Sequence, residues 1–475
     1  MKLGSSLWLV WVVSALAGSG VLLGAMFYGG QSRALLLIGE TTSGHHQIEL
    51  ACEACHTSAF GGKEVIQDAC VGCHAEELER AKDSHPAKKF TDPRNADRIA
   101  ILDATQCITC HTEHRPEITN AMGVTLPDDY CALCHEDVGK NRPSHIDLPF
   151  ETCATAGCHN YHDNRALYED FLERHANKPE IALKAYLELR ANPPEKPAPE
   201  EEPITLASKA DAPSQHMKDS KITEDWLATA HSAAGVNCSG CHAPDAKSAE
   251  EIEKTWIEAP DHKTCANCHT HEVKSFTQGK HGMRLAEGMT TQLDGPLGFF
   301  KNTNLGPMSP KLARIPMSSK AHDTELNCTT CHSAHAFNTE KAEIDACLTC
   351  HNDEHSKSYI DSPHHKLWLA EKNGSGDKGT GVTCATCHMP RFLHEDPDTY
   401  EETLVVNHNQ NDNLRPNEKM IRSVCMSCHG LGFAIDALAD PKSIKSNFAG
   451  RPSVHVESID WVIKRLKERE GKKSK

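Results

Sequence analysis

Twenty-two cysteines in 475 residues fall into eleven pairs, and a histidine follows the second cysteine of every pair. Ten pairs read C-x-x-C-H: Cys52, Cys55 and His56; Cys70, Cys73 and His74; Cys107, Cys110 and His111; Cys131, Cys134 and His135; Cys238, Cys241 and His242; Cys265, Cys268 and His269; Cys328, Cys331 and His332; Cys347, Cys350 and His351; Cys384, Cys387 and His388; Cys425, Cys428 and His429. The eleventh, Cys153-Ala-Thr-Ala-Gly-Cys158-His159, spaces its thiols by four residues. One helical turn presents two such thiols and the imidazole to the same porphyrin edge, so the thiols can add to its vinyl groups while the imidazole takes the iron. Disulfide scaffolds and zinc ribbons also pair cysteines, but neither has reason to place histidine after every pair. The pattern implies eleven covalently attached haem c groups, with those eleven histidines as proximal iron ligands.

Eleven of the 31 histidines are thereby used and 20 remain for at most eleven sixth positions. The supply is ample for bis-histidine ligation, which leaves iron six-coordinate and suited to electron transfer; an open position suits chemistry. Candidate distal ligands are His45, His46, His85, His114, His145, His162, His175, His231, His281, His322, His335, His364, His365, His394, His408 and His455. His216 lies in a linker, and His262 and His271 flank the Cys265 motif closely.

The elements that must position these residues are short helices, one per motif. Strand patterning is nearly absent, and apolar and aromatic shares of 38% and 5% make a thin core for so long a chain. The expected fold is mainly α with much irregular structure, packed on its cofactors. Residues 1–33 carry no charge between Lys2 and Arg33, and Leu7 to Tyr28 is long enough to span a bilayer, so they predict a signal-anchor or transmembrane helix. That reading puts the chain on the inner membrane with its bulk in the periplasm. A signal cleaved near Ala15-Leu16-Ala17 would instead leave it soluble there. Residues 40–190 form a five-haem module and 222–475 a six-haem module. Between them, 191–221 read as a stiff, solvated linker because of Pro193, Pro194, Pro197 and Pro199 followed by three glutamates. Asn164 to Arg190 can be helical, with Leu167, Phe171 and Leu172 among its apolar positions, and Ile459, Val462, Ile463 and Leu466 predict a terminal packing helix.

Two resemblances follow from particular stretches. Cys107-Ile-Thr-Cys-His111-Thr-Glu-His114-Arg, with the His45-His46 pair ahead of Cys52, resembles the small class III type cytochromes c, which pack bis-histidine haems around little polypeptide. Trp226-Leu-Ala-Thr-Ala-His231, Phe276-Thr-Gln-Gly-Lys280-His281, Cys328-Thr-Thr-Cys-His332-Ser-Ala-His335 and Cys384-Ala-Thr-Cys-His388-Met-Pro resemble the hydroxylamine oxidoreductase family of octahaem cytochromes. That resemblance places the Cys265/Cys268/His269 haem at the family's catalytic position, with His262, His271, Lys280 and Arg284 nearby to stabilise an anion or deliver protons. It also implies a possible homo-oligomer. The oxidising members cross-link this haem to a tyrosine beyond the last motif, whereas no tyrosine follows Tyr400 here. The ammonia-forming nitrite reductases commonly replace the proximal histidine by lysine, and here it is His269.

Two functions are therefore expected. In one, all the haems form a wire between a membrane donor and a periplasmic or outer-surface acceptor. In the other, the His269-ligated iron is open to nitrite, hydroxylamine or a sulfur oxyanion, and a histidine on its free face would exclude this. A formal net charge of -16 argues against nucleic acid and favours redox protein partners with a basic docking face.

Overall fold

The computed structural model describes residues 3–28, 37–58, 61–120, 123–142, 145–146, 150, 160–163, 167, 169–194, 210–217, 219–290, 304–395, 400, 402–414 and 419–473. Short helices joined by irregular chain dominate. Among the described residues one sheet forms, β1 (Arg391–Glu395) antiparallel to β2 (Glu402–Val406), with Arg391 opposite Val406 and Glu395 opposite Glu402.

The expected transmembrane helix is corrected. A helix runs Leu3–Tyr28, but among the described residues no helix is long and apolar enough to cross a membrane. The membrane anchor that rested on this segment is set aside.

The chain divides into two compact units. The first comprises Met1–Thr155, His159–Arg165 and Arg284–Gly306. Its motif helices are Cys52–Cys55, Lys63–Ala81, Cys107–Cys110 and Ala132–His135. Among its described residues the buried apolar side chain is Ala51, beside buried Thr41, Thr42, Gln47 and Ser84. Side chains alone therefore make little core here.

The second unit comprises Ala156–Cys158, Ala166–Met283 and Pro307–Lys475. It has a side-chain core in which Leu167, Leu172 and Ala176 pack with Ile421, Leu431, Ala434, Ile435, Ile459 and Val462, and a smaller cluster of Ile344, Tyr359 and Trp368. The terminal helix Ser458–Lys473 supplies Ile459 and Val462, the packing role expected of it. The stretch before the linker is helical only over Glu169–His175 and Glu188–Ala191. Pro179, which cannot donate to a helix, is followed by a bridge between Ile181 and His429. Leu167 and Leu172 of this stretch join the second core with Phe171 packed against it, whereas Ile181 and Leu183 are exposed, and the chain passes into the second unit ahead of the proline-rich segment.

The expected solvated linker is only partly described, since residues 195–209 lie outside the described set. Beyond it the chain is docked. Ala210 is buried, the Asp211 carboxylate accepts from the Ser239 amide at 2.9 Å, and His216 stacks on Trp256 at 4.7 Å.

Candidate haem-binding sites

Four motifs of the second unit follow a side-chain cap that starts their helix. Asn237 accepts from the Cys238 amide, Asp261 from Lys263 and Thr264, and Asn327/Thr330 and Thr383/Thr386 form capping boxes ahead of Cys328 and Cys384. The histidine amide then closes the turn onto the first cysteine carbonyl, His56 to Cys52 at 2.7 Å, His111 to Cys107, His269 to Cys265 and His351 to Cys347 at 2.9 Å, and His429 to Cys425 at 2.8 Å. Both thiols and the imidazole are thus gathered on one turn. Cys153, Cys158 and His159 lie outside the described residues.

None of the twenty described cysteines is in a disulfide. Instead, thiols of successive motifs approach one another. The Cys70 thiol is raised first by Cys107, that of Cys265 first by Cys328, and that of Cys347 first by Cys384. Burial and then the thiols of Cys265 and Cys268 raise the Cys241 thiol; burial and then Cys347 and Cys350 raise Cys331 to about 11; burial and then Cys425 raise Cys387 to about 12. In the second unit the six motifs therefore follow one another in space in their order along the chain.

The histidines supply the decisive geometry. Two imidazoles bound to opposite faces of one iron, with bonds of about 2 Å, hold their ring centroids roughly 6 Å apart. Nine proximal histidines face a second ring at that spacing. In the first unit these are His74 with His45 at 5.9 Å, His111 with His162 at 6.3 Å and His135 with His85 at 6.0 Å. In the second they are His242 with His335 at 6.0 Å, His269 with His231 at 5.9 Å, His332 with His408 at 6.2 Å, His351 with His281 at 6.1 Å, His388 with His355 at 6.0 Å and His429 with His364 at 6.3 Å. His56 joins none of these nine pairs.

Nine of these eighteen rings are oriented as iron ligation through Nε2 requires, because their Nδ1 is engaged elsewhere. Backbone carbonyls of Gly123, Ile257, Ile444, Val406 and Glu180 take Nδ1 of His111, His242, His355, His408 and His429, and Tyr161 takes that of His85. Carboxylates take it from His45, His74 and His162: Glu113 at 2.7 Å, Glu77 at 3.3 Å and Asp83 at 3.2 Å. Trp256 stacks on His242 at 4.5 Å, and Phe337 and Phe433 on His332 and His429, both at 4.9 Å. Burial, reinforced by neighbouring histidines, holds His281, His332, His364 and His388 down to about 4. These imidazoles are neutral at neutral pH, the form a metal takes.

Other candidates are placed differently. His46 lies in the turn His46–Ile48 with Nδ1 on the Ser43 carbonyl, and His114, at φ 61°, has Nδ1 on Gly39. His145 follows the helix Val138–Asn141, His175 packs on Phe171 at 4.4 Å, and His322 follows the turn Ser319–Ala321. His365 turns its Nδ1 to the Ile360 carbonyl. His455 gives both ring nitrogens to carboxylates, Asp436 at 3.0 Å and Asp460 at 2.7 Å.

The residues expected around the Cys265 haem are mostly committed. His394 on β1 lies 3.7 Å from His271, too close for an iron between them. His262 is buried at the start of its helix, and Lys280 is half-buried. Arg284 belongs to the first unit, where its guanidinium donates to the carbonyls of Gln47, Leu305 and Gly306. His355 was not among the distal candidates, and its spacing after His351 carries no signal of its pairing with His388.

The donor set fits haem on three counts: unpaired thiols in i, i+3 pairs, an imidazole closing each turn, and second imidazoles at the spacing of one iron. A family model described as cytochrome c3 matches residues 44–136, which hold four of the motifs. The high-molecular-weight cytochrome c of Nitratidesulfovibrio vulgaris is 24% identical over 321 residues, 62% of this chain and 47% of the relative. These findings support a multihaem c-type cytochrome. The match spans about half the length of that relative, and no solved structure matches the chain. Its similarity to multihaem cytochromes c supports an electron-transfer role.

Proposed function

We propose that the chain is an extracytoplasmic electron carrier with eleven covalent haems, nine of them ligated by the histidine pairs described above. The observation that carries this is His231, whose ring stands 5.9 Å from His269. It occupies the face on which a nitrogen or sulfur substrate would have to bind. Bound haem supplies a reversible one-electron iron couple. The polypeptide's own residues would do the rest: the cysteines would hold each porphyrin edge, the paired imidazoles would take the iron, and the Nδ1 hydrogen bonds of nine of those rings would keep them in orientation.

The sequential approach of motifs from Cys238 to Cys428 supports close spacing of the groups they hold. We read this half as an octahaem-type motif order whose catalytic position has been closed by histidine. Thioether attachment of haem takes place outside the cytoplasm, which places the working protein there. Redox proteins with basic docking faces are the partners that a net charge of -16 favours.

Haem-to-protein ratio and the electron paramagnetic resonance spectrum of the oxidised protein test the proposal. It predicts eleven haems, low-spin signals from the nine paired haems, and no change in those nine signals with nitrite or hydroxylamine. A high-spin signal at the Cys265/Cys268 haem that such a ligand abolishes would overturn it.

A further inference from the structure

The nine axial pairs differ in what holds their Nδ1 atoms. At the pair His45/His74 both partners are carboxylates. Glu113 accepts from His45 at 2.7 Å and is itself fixed by the Thr42 amide at 2.8 Å and the Thr42 hydroxyl at 2.9 Å. Glu77, one turn beyond His74 on the same helix, accepts from it at 3.3 Å. At His111/His162 one partner is a carboxylate and the other a carbonyl. At His332/His408 the contrast is greatest, since His332 Nδ1 is buried without a partner and His408 meets a carbonyl. Glu272 and Asp353 stand 4.0 and 3.9 Å from His269 and His351, outside hydrogen-bond reach.

A carboxylate accepting from Nδ1–H draws the proton away, making the imidazole a more basic and more anionic ligand. Its own charge adds to the effect. Both stabilise ferric over ferrous iron and so lower the potential. We infer that Glu113 and Glu77 make the haem held by Cys70 and Cys73 the lowest-potential centre of the nine, the one that only a strongly reducing partner can fill. The Cys328/Cys331 haem lies toward the opposite end of the range. This inference rests on the proposed bis-histidine ligation.

The test is a spectroelectrochemical titration of the haem-loaded full chain and of Glu113→Gln, Glu77→Gln and the double variant. In Glu113→Gln the most negative one-electron step rises by about tenfold in the equilibrium constant for reduction, about 59 mV. Glu77→Gln gives a smaller rise and the double variant a larger one, with the other steps unmoved. A most negative step that stays in place in a double variant retaining every haem and its low-spin signal overturns the inference. An equal shift of all steps also overturns it. Should the double variant lose a haem, Glu77→Gln decides alone, because it leaves the contacts of His45 with Glu113, and of Glu113 with Thr42, in place; its most negative step must still rise. A high-spin signal at this haem in the unaltered protein would instead sink the ligation reading, which keeps the two failures distinct.

Discussion

The same cysteine-histidine turn is set in two different surroundings. In the first unit three ligand histidines, His45, His74 and His162, give Nδ1 to carboxylates, and Ala51 is the buried apolar side chain among the described residues. In the second unit His242, His355, His408 and His429 give Nδ1 to backbone carbonyls, and an apolar core of two clusters packs beside the motifs. The first unit has little side-chain core and turns three of its five Nδ1-bonded paired histidines toward carboxylates, His85 and His111 meeting carbonyls instead. The second brings a core of its own and surrounds its ligands with neutral dipoles. The lesson is that the motif specifies attachment, whereas the second contact of each imidazole specifies what the attached group is worth as an electron carrier.

The sharpest way to break this contrast is to open the second unit. His231→Ala should convert one haem to a high-spin form that binds nitrite, read by paramagnetic resonance, while every first-unit signal stays in place; an unchanged spectrum would mean that His231 is not a ligand. The next effect is on packing. Leu431 is fully buried in the second core, and Leu431→Ala should destabilise that unit by about 2–5 kcal/mol in a urea titration. The potential of the Cys70 haem should not respond, and a parallel shift in it would erase the distinction between the units.

A smaller effect is expected at Asp83, the single carboxylate on the His111/His162 pair. Asp83→Asn should raise the equilibrium constant for reduction of the Cys107 haem by less than tenfold, below the response to Glu113→Gln, because the other ligand's carbonyl contact is untouched. The smallest effect lies at His455, where hydrogen bonds from Asp436 first and Asp460 second raise the imidazole to about 9. A folded-state value above the ordinary one means that the stabilisation is complete below about pH 6.5 and is lost as pH rises through about 9. The melting temperature should therefore fall across that window, and His455→Gln should flatten the fall; an identical slope in the variant would remove the clamp from the account.

What was legible in the sequence was local. Cysteine and histidine at i, i+3 and i+4, with Asn327 or Thr383 just ahead, specify a capped turn whatever the rest of the chain does. Which histidine faces which motif is not local. His355 follows proximal His351 by four residues, yet its ring meets His388, because the chain path brings the next motif to it. Adjacent His364 and His365 have equal claims in the sequence. The rotation of the helix Pro363–Lys372 gives His364 to His429 and turns His365 toward Ile360. The proline-rich composition of 191–221 suggested solvation, but Asp211 and His216 find partners beside the Cys238 motif that composition cannot reveal. The apolar run at the start of the chain predicted a span, but among the described residues no helix is long and apolar enough to cross a membrane.

The central claim is that the haem position of catalytic resemblance has been closed to substrate. An experimental density map of the haem-loaded protein, read at the iron bound to His269, tests it most directly. The account predicts the His231 imidazole nitrogen on the opposite face of that iron. An open face, or one holding water or a small anion with His231 turned away, would contradict it.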